Sequence, residues 1–256
     1  MTILYFTGTG NCLYVAKELG GKIVSVPQLL RSGEKCIEDD IVGIVFPVYG
    51  GGLPRMIKRL LKEVTIRATY VFAVPTYGNI PGAAVSRFIK TAKKYGLQVD
   101  YARGLLMVDN YLPLFEIGDQ LARVPSKQIP EHLAEIKEEI RMRKAYHEKN
   151  GLFSHIATGF MQTFSFIYMG KGFARLFKVK DTCNGCGTCS RVCPGGNITL
   201  EKNSCKPAFG KTCEACLACA HLCPMGAIHV PLEKSDLRFR NENITIKEIT
   251  ESNSAS

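Results

Sequence analysis

Ile3-Leu4-Tyr5-Phe6-Thr7-Gly8-Thr9-Gly10-Asn11-Cys12 is the stretch that decides how the first half of the chain folds. Its first four residues form an unbroken apolar run, as in a strand covered on both faces. A Gly- and Thr-rich turn follows, and Cys12 to Leu19 then repeats its apolar residues at helical spacing. Outward from this unit the pattern recurs. Apolar runs stand at 23–26, 41–46, 70–74 and 105–108, with amphipathic stretches such as 55–62 and 83–95 between them. Residues 129–149, rich in Glu and Lys, read as a closing surface helix. Five strands alternating with helices predict an α/β fold, a doubly wound parallel five-stranded sheet with ligands at the C-terminal ends of its strands.

Three loops fall at those ends. Thr7-Gly8-Thr9-Gly10-Asn11-Cys12 offers hydroxyls and backbone N–H groups at a helix N-terminus, an anion cradle. Pro47-Val48-Tyr49-Gly50-Gly51-Gly52-Leu53-Pro54 follows the third strand, and Pro75-Thr76-Tyr77-Gly78-Asn79-Ile80-Pro81-Gly82 the fourth. Each pairs an aromatic face with glycines that let backbone approach a planar ring. In this order the loops resemble those of flavodoxins over roughly residues 1–150. The resemblance implies FMN, with Thr7, Thr9 and Asn11 on its phosphate and Tyr49 and Tyr77 flanking its ring. Gly78 and Asn79 would lie near the reactive edge, and Gly8, Gly10, Pro47, Val48, Gly50, Gly51 and Thr76 would complete the contacts. Cys12 stands where flavodoxins commonly carry a hydroxyl, which weakens one phosphate contact because a thiol is a weak donor. Leu13 occupies the place of the third glycine of G-x-G-x-x-G, which argues against a pyridine nucleotide.

The second half is governed by cysteine. Cys183-x2-Cys186-x2-Cys189-x3-Cys193-Pro194 is repeated as Cys213-x2-Cys216-x2-Cys219-x3-Cys223-Pro224. This is the ligand run of a pair of 4Fe–4S clusters, in which the fourth cysteine of each run reaches the other cluster. Cys183, Cys186, Cys189 and Cys223 would hold the first, and Cys213, Cys216, Cys219 and Cys193 the second. Zinc sites also use CxxC pairs, but need neither the third cysteine at the same step nor the proline after a fourth. Nothing at the N-terminus reads as a signal peptide, so a disulfide framework is disfavoured and a cytoplasmic location is expected. Residues 179–231 resemble bacterial-type two-cluster ferredoxins. Cys205, in the insert between the runs, fits neither and reads as a bystander thiol.

In order of parts the whole chain resembles the fused flavodoxin–ferredoxin proteins of anaerobic bacteria and archaea. Expected domains are 1–150 (FMN-binding), 151–178 (a Phe-rich helical connector), 179–232 (two 4Fe–4S clusters) and 233–256 (a frayed polar tail). The connector's apolar stretch at 156–169 is too short and interrupted to cross a bilayer, so no transmembrane segment is expected. The formal net charge is +10. Two clusters and an FMN phosphate, at about −2 each, would leave roughly +4. No nucleic-acid motif accompanies that charge, and a basic surface suits acidic redox partners. No catalytic residues stand out. The resemblance implies electron transfer between clusters and FMN, within one chain or across a homodimer, serving a redox protein donor or acceptor. Its rivals are an FMN-dependent reductase of a small molecule and a binding module with structural metals.

Overall fold

The computed structural model describes residues 1–149, 151, 158–159 and 172–254. Its first half alternates β1 (Thr2–Tyr5), α1 (Asn11–Leu19), β2 (Lys22–Ser25), α2 (Val26–Ser32), β3 (Cys36–Glu38), β4 (Ile41–Pro47) and α3 (Arg55–Glu63). Then come β5 (Thr65–Arg67), β6 (Tyr70–Tyr77), α4 (Ala84–Lys94), β7 (Tyr101–Ala102), β8 (Leu105–Leu106), α5 (Ile117–Ala122), α6 (Ile129–Arg141) and β9 (Tyr146–His147). The main sheet runs β2-β1-β4-β6-β7-β9 with β8 also on β6, and every pair in it is parallel. Counting only the long positions, this is the 2-1-3-4-5 order of the flavodoxin-like fold.

The period of two in β1 sorts the sheet into two cores. Ile3 and Tyr5 face α1 and α6, among Leu13, Ala16, Leu133 and Ile136. Leu4 and Phe6 face α2, α3 and α4, among Leu29, Ile57, Leu60 and Phe88. Burying each such side chain contributes about 1.5–3 kcal/mol. Gly43 sits mid-strand in β4 because a Cβ there would run into the Phe72 ring on β6.

Three expectations change. The fifth strand, expected at 105–108, is split into β7 and β8. Between them Gly104 lies against the Tyr77 ring and donates its N–H to the Glu148 carboxylate at 2.6 Å. The closing helix ends at Arg141, and Tyr146–His147 turns back to add a sixth position at the sheet edge, register Tyr101↔Tyr146. The C-terminal segment is not frayed. Thr245 and Glu248 form a capping box, and Ile246–Asn253 is a helix with Ile249 buried beneath it.

The cysteine-rich half has short helices at Thr188–Arg191 and Ala218–His221, and paired strands Lys178–Val179 with Ile228–His229. A hairpin joins Ile198–Leu200 to Pro207–Phe209. Its two copies repeat their backbone as well as their cysteines. Left-handed φ recurs at Gly185 and Ala215, at Gly187 and Leu217, and at Gly196 and Gly226. Most of the connector, including Phe153, Phe160, Phe164 and Phe166, lies outside the described residues. Val108, Leu112 and Ile117 of the first half share a core with Phe173, Phe177, Ile198 and Leu217 of the second.

Candidate functional site

The eight cysteines of the two runs wall two cavities. Cys183, Cys186, Cys189 and Cys223 line one of about 320 Å³, its open mouth included. Cys193, Cys213, Cys216 and Cys219 line another of about 330 Å³. The fourth cysteine of each run stands in the other run's cavity because the short helix that contains the third carries the chain across. Backbone N–H groups point at the sulfurs: Asn197 to Cys193 at 3.2 Å, Ala215 to Cys213 at 3.3 Å and Ala227 to Cys223 at 3.3 Å. The left-handed residues are what turn these amides inward.

Burial pushes the Cys189 thiol up to about 11, and burial with mutual repulsion holds Cys216 and Cys219 well above the ordinary thiol range. Thiolates gathered around one space would need a cationic centre between them. Among the described residues no three His, Cys, Asp or Glu side chains converge on one point for a single ion. The cysteines instead surround a volume, which suits a cluster better than zinc with its sulfurs about 2.3 Å from one centre.

The cavities differ in setting. At the first, Cys186 is exposed and Cys205 joins the wall. The insert thus brings to the mouth a thiol whose spacing gave no sign of it. The second cavity faces inward. Glu214, in its wall, accepts the Met56 N–H at the start of α3 (3.2 Å), and Arg55 donates to the Cys213 carbonyl. Arg31 donates to the Pro194 carbonyl at 2.6 Å. Cys216 packs against both cores of the sheet, and its carbonyl lies 3.0 Å from where a Gly8 Cβ would be.

Gly8 belongs to the first of the three sheet-end loops, and that loop is buried throughout. The Thr7 hydroxyl accepts the Gly10 N–H at 3.1 Å, Asn110 donates to the Thr9 hydroxyl at 2.6 Å, and Asn11 donates to the Val108 carbonyl at 3.3 Å. Cys12 meets the Thr76 hydroxyl at 3.2 Å, and burial pushes its thiol up to about 12. The N–H groups of Asn11, Cys12 and Leu13, in the first turn of α1, find no acceptor among the described residues. Buried donors without acceptors fit an anion such as a phosphate.

The other two loops are held as follows. Tyr49-Gly50-Gly51-Gly52 closes a tight turn through paired Tyr49 and Gly52 hydrogen bonds, with φ of 55° at Gly50 and 71° at Gly51. Pro47 ends β4, and Val48 donates to the Thr76 carbonyl at 2.8 Å. The Tyr49 ring stands edge-on to Phe6, its hydroxyl 3.5 Å from the Gly8 Cβ position, so Tyr49 and the anion loop are brought together. The Tyr77 ring packs against Gly104. Asn79 donates to Asp109 at 3.0 Å and to Gln120 at 3.2 Å, and Gly78 packs on Asp109. Buried Lys127 donates to the Gly78 and Met107 carbonyls. Asp109, whose carboxyl burial pushes up, and Lys127 were not anticipated, since single charged residues in loops carry no sequence signal.

His221, assigned no role from sequence, joins the halves. Its Nδ1 accepts the Phe239 N–H at 3.1 Å, which leaves the proton on Nε2 to donate to the Asn110 carbonyl at 2.7 Å. Burial lowers its pKa to about 4.

A 4Fe–4S binding domain model matches residues 177–199. No curated protein matches the chain. Among solved structures, Megasphaera elsdenii flavodoxin in its two-electron-reduced form is similar, with a TM-score of 0.32 and 16% identity, over 40% of this chain and 83% of that one. A Lactobacillus acidophilus flavoprotein in complex with FMN has a TM-score of 0.28 and 17% identity, over 40% of this chain and 91% of that one. Strand order, rather than these scores, defines the α/β half. Among the described residues no helix is long and apolar enough to cross a membrane. The chain joins a flavodoxin-like α/β fold to a 4Fe–4S binding segment.

Proposed function

We propose that this chain is an electron carrier holding two 4Fe–4S clusters in its cysteine-walled cavities and FMN at the sheet ends of its α/β half. The single observation that carries the reading is the sorting of eight cysteines into two sets of four around separate cavities. Bound clusters would supply one-electron storage, and FMN an exchange between one- and two-electron traffic. The residues supply place and order. Exposed Cys186 sets the first cavity at the surface, where a protein donor or acceptor can approach. Cys216, against Gly8, sets the second beside the anion loop. For FMN, the support is the strand order, the three loops at the strand ends and the unpaired N–H groups of α1. Thr7, Thr9 and Asn11 would take the phosphate, while Tyr49, Tyr77, Gly78 and Asn79 would border the ring.

Anaerobic purification with iron, sulfide and flavin counted on one sample tests the reading. About eight iron and eight sulfide per chain are expected, with FMN retained or taken up on addition. Stepwise reduction by dithionite should then resolve more than one centre. Zinc without sulfide would refute the cluster assignment.

A further inference from the structure

The anion loop is covered by the chain itself. Asn241 donates its backbone N–H to the Thr9 carbonyl at 2.9 Å and its side-chain amide to Asn11 Oδ1 at 3.2 Å. A Cβ on Gly10 would lie 3.0 Å from the Asn241 Cβ and 3.1 Å from that of Ile244, which is 1% exposed. Asn253, 1% exposed, donates to the Thr7 carbonyl at 3.1 Å. The loop thus has donors that suit a phosphate, and protein standing over it. Asn241, Ile244 and Asn253 belong to one strap that runs from Phe239 to Ser254 and crosses the loop before its helix docks beside α1 and α2.

We infer that this strap and the phosphate of FMN compete for the Thr7–Cys12 loop, so that flavin uptake requires the strap to lift. The inference rests on the flavin reading above. The way the strap is fastened suits a reversible closure. Its apolar anchors are Phe239, in the core of the cysteine-rich half, and Ile244 and Ile249 on the sheet side, and its other ties include several polar ones. Tyr5 meets the Ser252 hydroxyl at 2.6 Å, Lys17 pairs with Glu248 at 2.7 Å on the surface, and Arg31 donates to the Asn253 carbonyl at 2.8 Å. Each such bond can be exchanged for water when the strap leaves, whereas the sheet beneath is closed by apolar packing and stays. A site open only in a fraction of molecules binds more weakly by that fraction.

The test uses the full, cluster-loaded chain and a full-length Asn241→Ala/Ile244→Ser variant, titrated anaerobically with FMN and with riboflavin by flavin fluorescence. Hydrogen exchange of residues 246–253 is followed in parallel. The variant is expected to bind FMN about 10-fold or more tightly than the intact chain. Riboflavin, which has no phosphate, should show no such gain. In the intact chain, saturating FMN should accelerate exchange at 246–253, a readout that needs no variant. Equal FMN affinity in both proteins, with strap protection unchanged in the complex, overturns the competition while leaving the flavin reading in place. If neither protein takes up FMN although the variant's strap exchanges freely, the flavin reading fails and the competition falls with it.

Discussion

Replacing Asn253 by alanine should loosen the strap by a predictable amount. The side-chain amide gives one hydrogen to the Thr7 carbonyl and the other to the Val192 carbonyl, each at 3.1 Å, so a single residue fastens the strap to both halves. Both acceptors are buried, and each lost bond costs about 1–1.5 kcal/mol net. Asn253 Oδ1 has no partner among the described residues, so its removal returns a little. The balance is about 2 kcal/mol, or roughly 30-fold in the local opening equilibrium. Native-state hydrogen exchange at the Ile249 to Asn253 amides reads this directly, because unfolding by denaturant would not be two-state in a protein with bound clusters. Lys17→Ala is the contrast. The Lys17–Glu248 pair is shorter, at 2.7 Å, but 43% and 31% exposed. It should change exchange by less than about fivefold, since exposed ion pairs contribute about 0–1 kcal/mol. If Asn253→Ala shifts exchange no more than Lys17→Ala does, the strap is not held by its buried amide.

Cys193→Ala should deplete the second cavity of iron, wholly or in part, and spare the first, lowering iron from about eight to between four and seven per chain. Loss of the first cavity's EPR signal instead would contradict the sorting of cysteines. Glu214→Gln removes a carboxylate from the second cavity's wall. At ~10 Å and an effective dielectric of ~20, this should raise one cluster potential by about 70 mV in an EPR-monitored titration, and a fall would contradict it. Gly43→Ala drives a methyl into the Phe72 ring and should destabilise the sheet by about 1–3 kcal/mol, seen as a lower melting temperature at unchanged iron content. Chelating the iron should speed exchange at residues 246–253 by about fivefold, because Val192, which anchors Asn253, directly precedes Cys193.

The sheet could be read from its apolar runs because both faces of β4 and β6 are covered, which demands unbroken hydrophobic stretches. The split at Arg103 and Gly104 could not, since it depends on where the Tyr77 ring lands. Nor could β9, whose two exposed residues carry no pattern. The cysteine runs could be sorted into their two sets of four through the ferredoxin pattern they resemble, since spacing alone does not say that the fourth of each run crosses over. The strap misled for a physical reason. Its composition suits solvation, yet its polar groups pair with the anion loop, with Val192 and with side chains of the α/β half such as Tyr5, Lys17 and Arg31. One local signal was present: Thr245-x-x-Glu248 is a capping box that announces a helix start.

Asn253 also indicates why the two halves form one body. Val192 lies one residue from a wall cysteine of the second cavity, and Thr7 opens the anion loop. A single amide therefore makes the state of each site depend on the other through the strap. Such coupling is reciprocal: if iron in the second cavity steadies the strap, a docked strap must steady the iron by the same factor. The same holds, with opposite sign, for a phosphate at the loop. A ligand that lifts the strap withdraws the Asn253 bond from Val192 and loosens the wall beside Cys193. Two bonds of about 1 kcal/mol each limit that influence to roughly fivefold per bond, enough to bias exchange between centres and too little to unseat a cluster.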